Sequence, residues 1–402
     1  MLSSFSARRR AAVSLLALLA APAPGTDPVI ELSGAPGSRS PFVFASPGGT
    51  VLASWLEPAG DGRWSLRVAE RDAQRWSAPR TVVTSDRLFV NWADFPSVVE
   101  LADGRWVAHW LEKTAARAYA YHVRLATSAD RGATWSAPVT PHRDTSPTEH
   151  GFVSMVPGPR GGADLIWLDG RDFEGTERRG AMRLYAGGLG ADGRPAAEAV
   201  LDARACECCQ TALARTDRGL IAAWRDRSEG EIRDVAVSRL VNGRWTEPVI
   251  PHPDSWEFRA CPVNGPQLAA DGRRVALAWY SGAGAPGVYL TLSGDGGATF
   301  GPRLRLDDGN PLGRLEVLML PEGSVVVFWL ETTGETAEWR ARRYGPDGSR
   351  RDHWTVTGTS RLRDAGFLRA AAGAGGVFVG WTAGGATGGV RIARQSLPRA
   401  SR

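Results

Sequence analysis

The sequence is nearly empty of lysine: of its 48 basic residues, Lys113 is the single Lys and the rest are Arg. It has only 4 Cys, 4 Met and 6 His in 402 residues. One apolar run, Ala11 to Ala21, stands out, and it is shorter than the roughly 20 residues a membrane-spanning helix needs. Membrane insertion is therefore not expected. No segment sustains the apolar period of an amphipathic helix, so helical fold classes are excluded. The formal charge is +5, but the arginines are interleaved with Asp and Glu. Without a massed basic face, nucleic-acid binding is not expected.

What is present begins with a leader. Arg8 to Arg10 form a basic stretch, Ala11 to Ala21 an apolar one, and Ala21-Pro22-Ala23 supplies small residues near a cleavage point. This order reads as a signal peptide over residues 1–25. Residues 26–402 are then expected as one domain, secreted or periplasmic and monomeric.

A strand-like run ending in Trp recurs along the rest of the chain, at Trp55, Trp110, Trp167, Trp224, Trp279, Trp329 and Trp381, with spacings of 55, 57, 57, 55, 50 and 52. Self-similarity at this period is the signature of a β-propeller. The fold expected is all-β, with seven units, each a blade of four strands. Gly in turns such as Asp103-Gly104 and Asp271-Gly272 supplies the positive φ that hairpins need. Val29 to Leu32 has no blade of its own. It is expected to join the last unit as an outer strand and so close the ring.

Two units carry Ser128-Ala129-Asp130-Arg131-Gly132-Ala133-Thr134-Trp135 and Ser293-Gly294-Asp295-Gly296-Gly297-Ala298-Thr299-Phe300. This S-x-D-x-G-x-T-W/F pattern resembles the Asp-box, or BNR repeat, of sialidase-like propellers. The resemblance offers a six-bladed, sialidase-type ring as the alternative to seven blades. It places the boxes on the face opposite the site, as structural turns. Arg39-Ser40-Pro41 is similar to the family's Arg-Ile-Pro motif, with Ser in place of Ile, and implies that Arg39 holds a substrate carboxylate. The family also implies further arginines, an acid Asp, and a Tyr nucleophile helped by a Glu. Among residues expected at one mouth of the ring, Asp94, Tyr280 and Glu149 are the catalytic candidates. Arg39, Arg225, Arg259, Arg314 and Asn264 are the ligand-binding ones.

The four cysteines, Cys206, Cys208, Cys209 and Cys261, open the fourth and fifth units. In an exported protein disulfides are the first expectation, with Cys261 bridged to Cys206 or Cys208. The alternative is a thiolate site for copper or zinc with His150 nearby, and no other cofactor is expected. The remaining histidines, His109, His122, His142, His252 and His353, read as dispersed surface or turn residues. The expected function is binding of a glycan or small polar ligand at the top face, with glycosidic hydrolysis as its enzymatic form. The rivals are a non-catalytic binding or assembly module and a metal- or redox-linked periplasmic protein using the cysteines.

Overall fold

The structure is a computed structural model that describes residues 27–173, 180–373, 375–385 and 388–398. The expected leader lies outside the described residues. Seven antiparallel sheets follow one another along the chain. Blade 1 comprises Arg39–Ala45, Val51–Pro58, Trp64–Arg71 and Arg80–Ser85. Blade 2 has Ser97–Glu100, Trp106–Lys113 and Tyr121–Ser128, and Val139 bridges Leu125 where a fourth strand would lie. Blade 3 is His150–Pro157, Ala163–Asp169, Met182–Leu189 and Ala199–Ala205. Blade 4 is Ala212–Thr216, Gly219–Arg225, Val235–Val241 and Arg244–Trp245. Blade 5 is Gln267–Asp271, Arg274–Ser281, Gly287–Ser293 and Leu304–Arg305. Blade 6 runs from Pro311–Met319 through Val325–Thr333 and Thr336–Tyr344 to Arg350–Thr359. Blade 7 has Arg369–Gly373, Gly376–Thr382 and Val390–Gln395, with Val29–Ser33 as its outer strand.

The innermost strands touch in ring order, from blade 1 round to blade 7 and back to blade 1. There are seven blades rather than six, and the expected closure by the N-terminal strand is present. Because Val29–Ser33 pairs with Val390–Gln395, the two ends of the described chain lie in one sheet and no inner edge is left open.

The seven tryptophans are buried between blades. A buried indole N–H must find an acceptor. Trp55, Trp167 and Trp329 find it two residues on, in Glu57 at 3.0 Å, Asp169 at 2.9 Å and Glu331 at 2.6 Å. Strand side chains alternate, so residues i and i+2 share a face. Trp224 and Trp279, whose i+2 residues do not serve, use Asp202 at 2.6 Å and Asp254 at 2.7 Å from loops or outer strands.

The two S-x-D-x-G-x-T turns are held alike. Thr134 and Thr299 donate backbone N–H and hydroxyl to Asp130 and Asp295, at 2.6 to 2.9 Å. Those bonds pull the Asp130 carboxyl down to about 2. The Asp295 turn lies against Thr216 and Arg218, in the turn joining the first two strands of blade 4. The turns of both kinds thus share one face, the bottom.

Glu331 also accepts the Asn310 N–H at 2.7 Å. Glu331→Ala is expected to strand both donors and lower stability by about 2–3 kcal/mol, read from urea unfolding midpoints. A loss inside the error of that measurement would deny the indole–carboxylate bond its structural role.

Candidate functional site

The top face opens on a small cavity of about 180 Å³, lined among others by Trp92, Tyr121, Glu149, Glu207, Cys208 and Arg363. Its floor continues into the ring's centre, where every blade contributes its innermost strand or the loop before it. There Arg369 and Glu316 form a buried ion pair at 2.9 Å.

Three polar side chains converge at the junction. Tyr121 begins the third strand of blade 2, its ring stacked on Phe89 with centroids 4.0 Å apart. Its phenol donates to Glu149 Oε1 at 2.7 Å, and its oxygen lies 3.3 Å from Asp94 Oδ2. All three residues are buried. Asp94 lies in the loop entering blade 2, and its Oδ1 accepts the Phe152 N–H at 2.8 Å. Phe152 has a left-handed φ of 51° at an irregularity in blade 3, which turns that N–H toward Asp94. Gly151 gives the room. A Cβ there would stand 2.2 Å from Asp94 Oδ2 and 2.8 Å from Tyr121 Cε2.

Burial, reinforced by the neighbouring Glu149 charge, pushes the Asp94 carboxyl well above the usual range, against the Phe152 N–H that lowers it. Burial and the two carboxyl groups also raise the Tyr121 phenol. The three groups form a chain: the phenol donates to Glu149, and Asp94, whose protonated form burial favours, lies against the phenol oxygen. Such a chain can pass a proton between carboxyl and phenol without solvent.

The structure brings Asp94 and Glu149 together but sets Tyr280 apart, its ring edge-on to Trp256 at 5.5 Å in blade 5. The tyrosine that lies between Asp94 and Glu149 is Tyr121. Its sequence signal was available: a third strand also begins on top, as Tyr121 does.

Of the expected arginines, Arg314 lies over Trp92 beside Arg363, and Arg39 borders the same Trp92, whereas Arg225 and Arg259 lie apart. Arg39 lies in a neighbouring depression of about 130 Å³ with Trp92 and Asp364, its guanidinium over Trp64. Arg225 is buried over Trp256 and spends its donors on the carbonyls of Asn264, Tyr280 and Arg233. Arg314 donates to the carbonyls of Leu362 and Gly366, and burial brings it down to about 10. Arg259 is exposed and paired with Glu257 at 2.9 Å. Asn264 ties loops together, accepting from Arg314 N–H at 2.8 Å and donating to Leu312 at 3.1 Å. Arg225 and Asn264 thus brace the loops of the mouth, and Arg314 does so while lying over Trp92. Arg363, over Trp92 and on the cavity wall, is the cation that sequence reading underweighted.

All four cysteines are free, so the expected bridge between Cys261 and Cys206 or Cys208 is not formed. Cys206 Sγ lies 2.8 Å from Cys209 Sγ and 4.0 Å from Cys208 Sγ. Cys261 is exposed and lines the cavity with Cys208. Arg233, itself buried, donates to Cys206 Sγ at 3.1 Å and to Glu207 at 3.0 Å. Although burial opposes it, donation from Cys208 and Cys209 and the Arg233 charge take Cys206 well below the ordinary thiol range. The cost falls on Cys208 and Cys209, whose thiols are pushed up.

His122, His142 and His150 are not dispersed; His142 stacks on His150 and His122 stands edge-on to both, with ring centroids 4.0 to 4.9 Å apart. His150 lies in that cluster, beside Asp169, and not among the sulfurs.

No protein-family model and no curated protein matches the sequence. Solved structures match in fold. An ulvan lyase, from a new family of polysaccharide lyase, is 12% identical, covers 92% of this chain and 97% of its own, and has a TM-score of 0.57. A protein of unknown function from Dyadobacter fermentans DSM 18053 is 13% identical over 92% of this chain and 98% of its own, with a TM-score of 0.50. A mutant of the NanB sialidase from Streptococcus pneumoniae is 10% identical over 96% of this chain and 72% of its own, with a TM-score of 0.48. At these identities what is shared is the propeller fold.

The thiol assignment has a direct check. Unfolded, unreduced protein should titrate four thiols with a disulfide reagent, and native protein should react fastest at exposed Cys261. Two thiols in the unfolded protein would restore the bridge.

Proposed function

We propose that the top mouth binds an acidic glycan and cleaves it, with Tyr121 as the group that meets the sugar. The observation that carries this reading is the Asp94–Tyr121–Glu149 chain beneath a cavity walled by Trp92 and Arg363. An aromatic face beside a guanidinium suits a sugar ring bearing a carboxylate.

Elimination is the reaction the arrangement suits best. Hydrolysis calls for two carboxyl groups facing the scissile bond or, with a Tyr nucleophile helped by a Glu, for an acid Asp facing it as well. Of the chain's three members only Tyr121 and Glu149 line the mouth, with Asp94 beneath. Glu207, also on the wall, is engaged by Arg227 and Arg233. In elimination the phenol proton passes to Glu149. The phenoxide then takes the proton from the carbon beside the sugar carboxylate. That C–H electron pair forms the double bond as the C–O bond to the departing glycan breaks, and the phenol returns the proton to the departing oxygen. Glu149 then reprotonates the phenoxide. Asp94, held neutral, hydrogen-bonds the phenoxide throughout. The fold's likeness to an ulvan lyase supports this reading.

A second reading rests on the sulfurs. Three Sγ atoms within 4.8 Å of one another, with Cys261 beside Cys208, offer a soft site for copper or zinc. We further propose secretion or export to the periplasm as a monomer. Free thiols there suit metal binding better than storage as bridges.

The test is turnover of uronate-containing and sialylated glycans by wild type and Tyr121→Phe. We expect unsaturated products, and a loss of about 100-fold or more in Tyr121→Phe at a near-unchanged melting temperature. Activity should also fall on the alkaline side as Asp94 surrenders its proton. Saturated products dependent on Tyr121 would make the enzyme a hydrolase. Binding without cleavage would make the protein a binding module.

A further inference from the structure

Behind Glu149, between blades 2 and 3, lies a second polar cluster that the mouth does not use. His150, Asp144 and Asp169 place one ligand atom each within 4.8 Å of one another. His150 is fully buried, and its Nε2 makes no hydrogen bond although it stands 3.0 Å from Asp144 Oδ2 and 3.6 Å from Asp169 Oδ1. Zinc bonds of about 2.0–2.1 Å at the tetrahedral angle set donor atoms roughly 3.3 Å apart, the midpoint of those two separations.

The tautomers are fixed from outside. A carbonyl oxygen only accepts, so a ring nitrogen facing one carries the proton. His150 Nδ1 faces the carbonyls of Tyr121 and Thr148, both at 3.3 Å. His142 Nδ1 faces the Asp144 carbonyl at 2.9 Å. His122 Nε2 faces the Ser146 carbonyl at 3.0 Å. Each ring is left with one bare nitrogen, and those of His142 and His150 are buried without partners. A bare imidazole nitrogen between two carboxylate oxygens is repelled unless a cation lies among them. Backbone carbonyls behind ligating imidazoles are the usual outer support of metal sites.

Charge points the same way. Among the described residues, Asp144, Asp169 and Glu198 bring three carboxylates, and Arg171, bonded to Asp169 at 2.7 Å and to Glu198 at 3.3 Å, returns one positive charge. A divalent ion neutralises the remainder. We propose that His150 Nε2, Asp144 Oδ2 and Asp169 Oδ1 bind a borderline divalent metal ion of the Zn²⁺ type, with His142 and His122 walling the site. Mixed nitrogen and oxygen donors select such ions over the softer ones that thiolates favour. Asp144, partly exposed, gives the entry side. The ion ties the loop over residues 140–149 to the Trp-bearing strand of blade 3, and so holds Glu149 against Tyr121.

The experiment is calorimetric titration of chelator-treated full-length protein with Zn²⁺. Three proteins are compared: wild type, Asp144→Asn, and a Cys206→Ser/Cys208→Ser/Cys209→Ser variant that removes the sulfur cluster. We expect one equivalent that survives in the cysteine variant and binds about 100-fold or more weakly in Asp144→Asn. Co²⁺ in the cysteine variant should give visible bands without sulfur charge transfer. Melting of each metal-free protein separates lost binding from lost folding. Zinc binding indifferent to Asp144→Asn, or abolished by the cysteine changes alone, would overturn the proposal. So would no binding at all, with nitrogen NMR showing His150 protonated at both positions.

Discussion

The structure depends on one recurrent interaction, the bond from a buried indole N–H to a carboxylate. A tryptophan is large enough to fill the wedge between blades, but it brings a polar N–H into an apolar space. At Trp55, Trp167 and Trp329 the strand's alternation delivers the acceptor two residues on, in Glu57, Asp169 and Glu331, whereas the Trp110 N–H finds none among the described residues despite Glu112. For Trp224 and Trp279 an outer strand and a loop supply the acceptor, at Asp202 and Asp254. The carboxylates end up at the top of the ring because the Trp-bearing strands end there. Packing thus loads the upper face with acidic groups before any function is considered. Asp169 belongs to both worlds: it pairs with Trp167 and faces His150.

The ring geometry then makes chemistry from residues that no local motif connects. Asp94, Tyr121 and Glu149 come from a loop, a strand start and a strand entry, and meet because blades 2 and 3 are neighbours. Their closeness rests on Gly151 and on the left-handed turn at Phe152. Burying three ionisable groups together is costly unless protons are shared among them. Burial favours the protonated forms of Asp94 and Tyr121, which limits the charge held there.

Much of the fold was legible because it repeats. The Trp spacing gave the blade number, and the orphan strand Val29 to Leu32 gave the closure. The S-x-D-x-G-x-T turns share their face with the hairpins of the first two strands. The site was legible only in part. Asp94 and Glu149 could be placed at the mouth by strand direction. Tyr280 was preferred to Tyr121 because the ends of Trp strands were considered and the starts of third strands were not. Arg225 and Asn264 look like ligand residues in sequence, yet their donors and acceptors are consumed by carbonyls and backbone N–H groups of adjoining loops. No one-dimensional pattern reveals that saturation. The histidine cluster was missed for the same reason: His122, His142 and His150 are spaced without a motif, and only the loop between blades 2 and 3 folds them together.

The claim on which the account turns is that Asp94 stays protonated beneath Tyr121 in the folded protein. Carbon NMR of the side-chain carboxyls, with Asp94→Asn to assign the resonance, measures it directly. The account predicts a midpoint well above the ordinary carboxylate range, moving when Glu149 is replaced by Gln. An Asp94 that titrates at an ordinary value would contradict it, because the phenol would then face two charged carboxylates and could not serve as the reacting group.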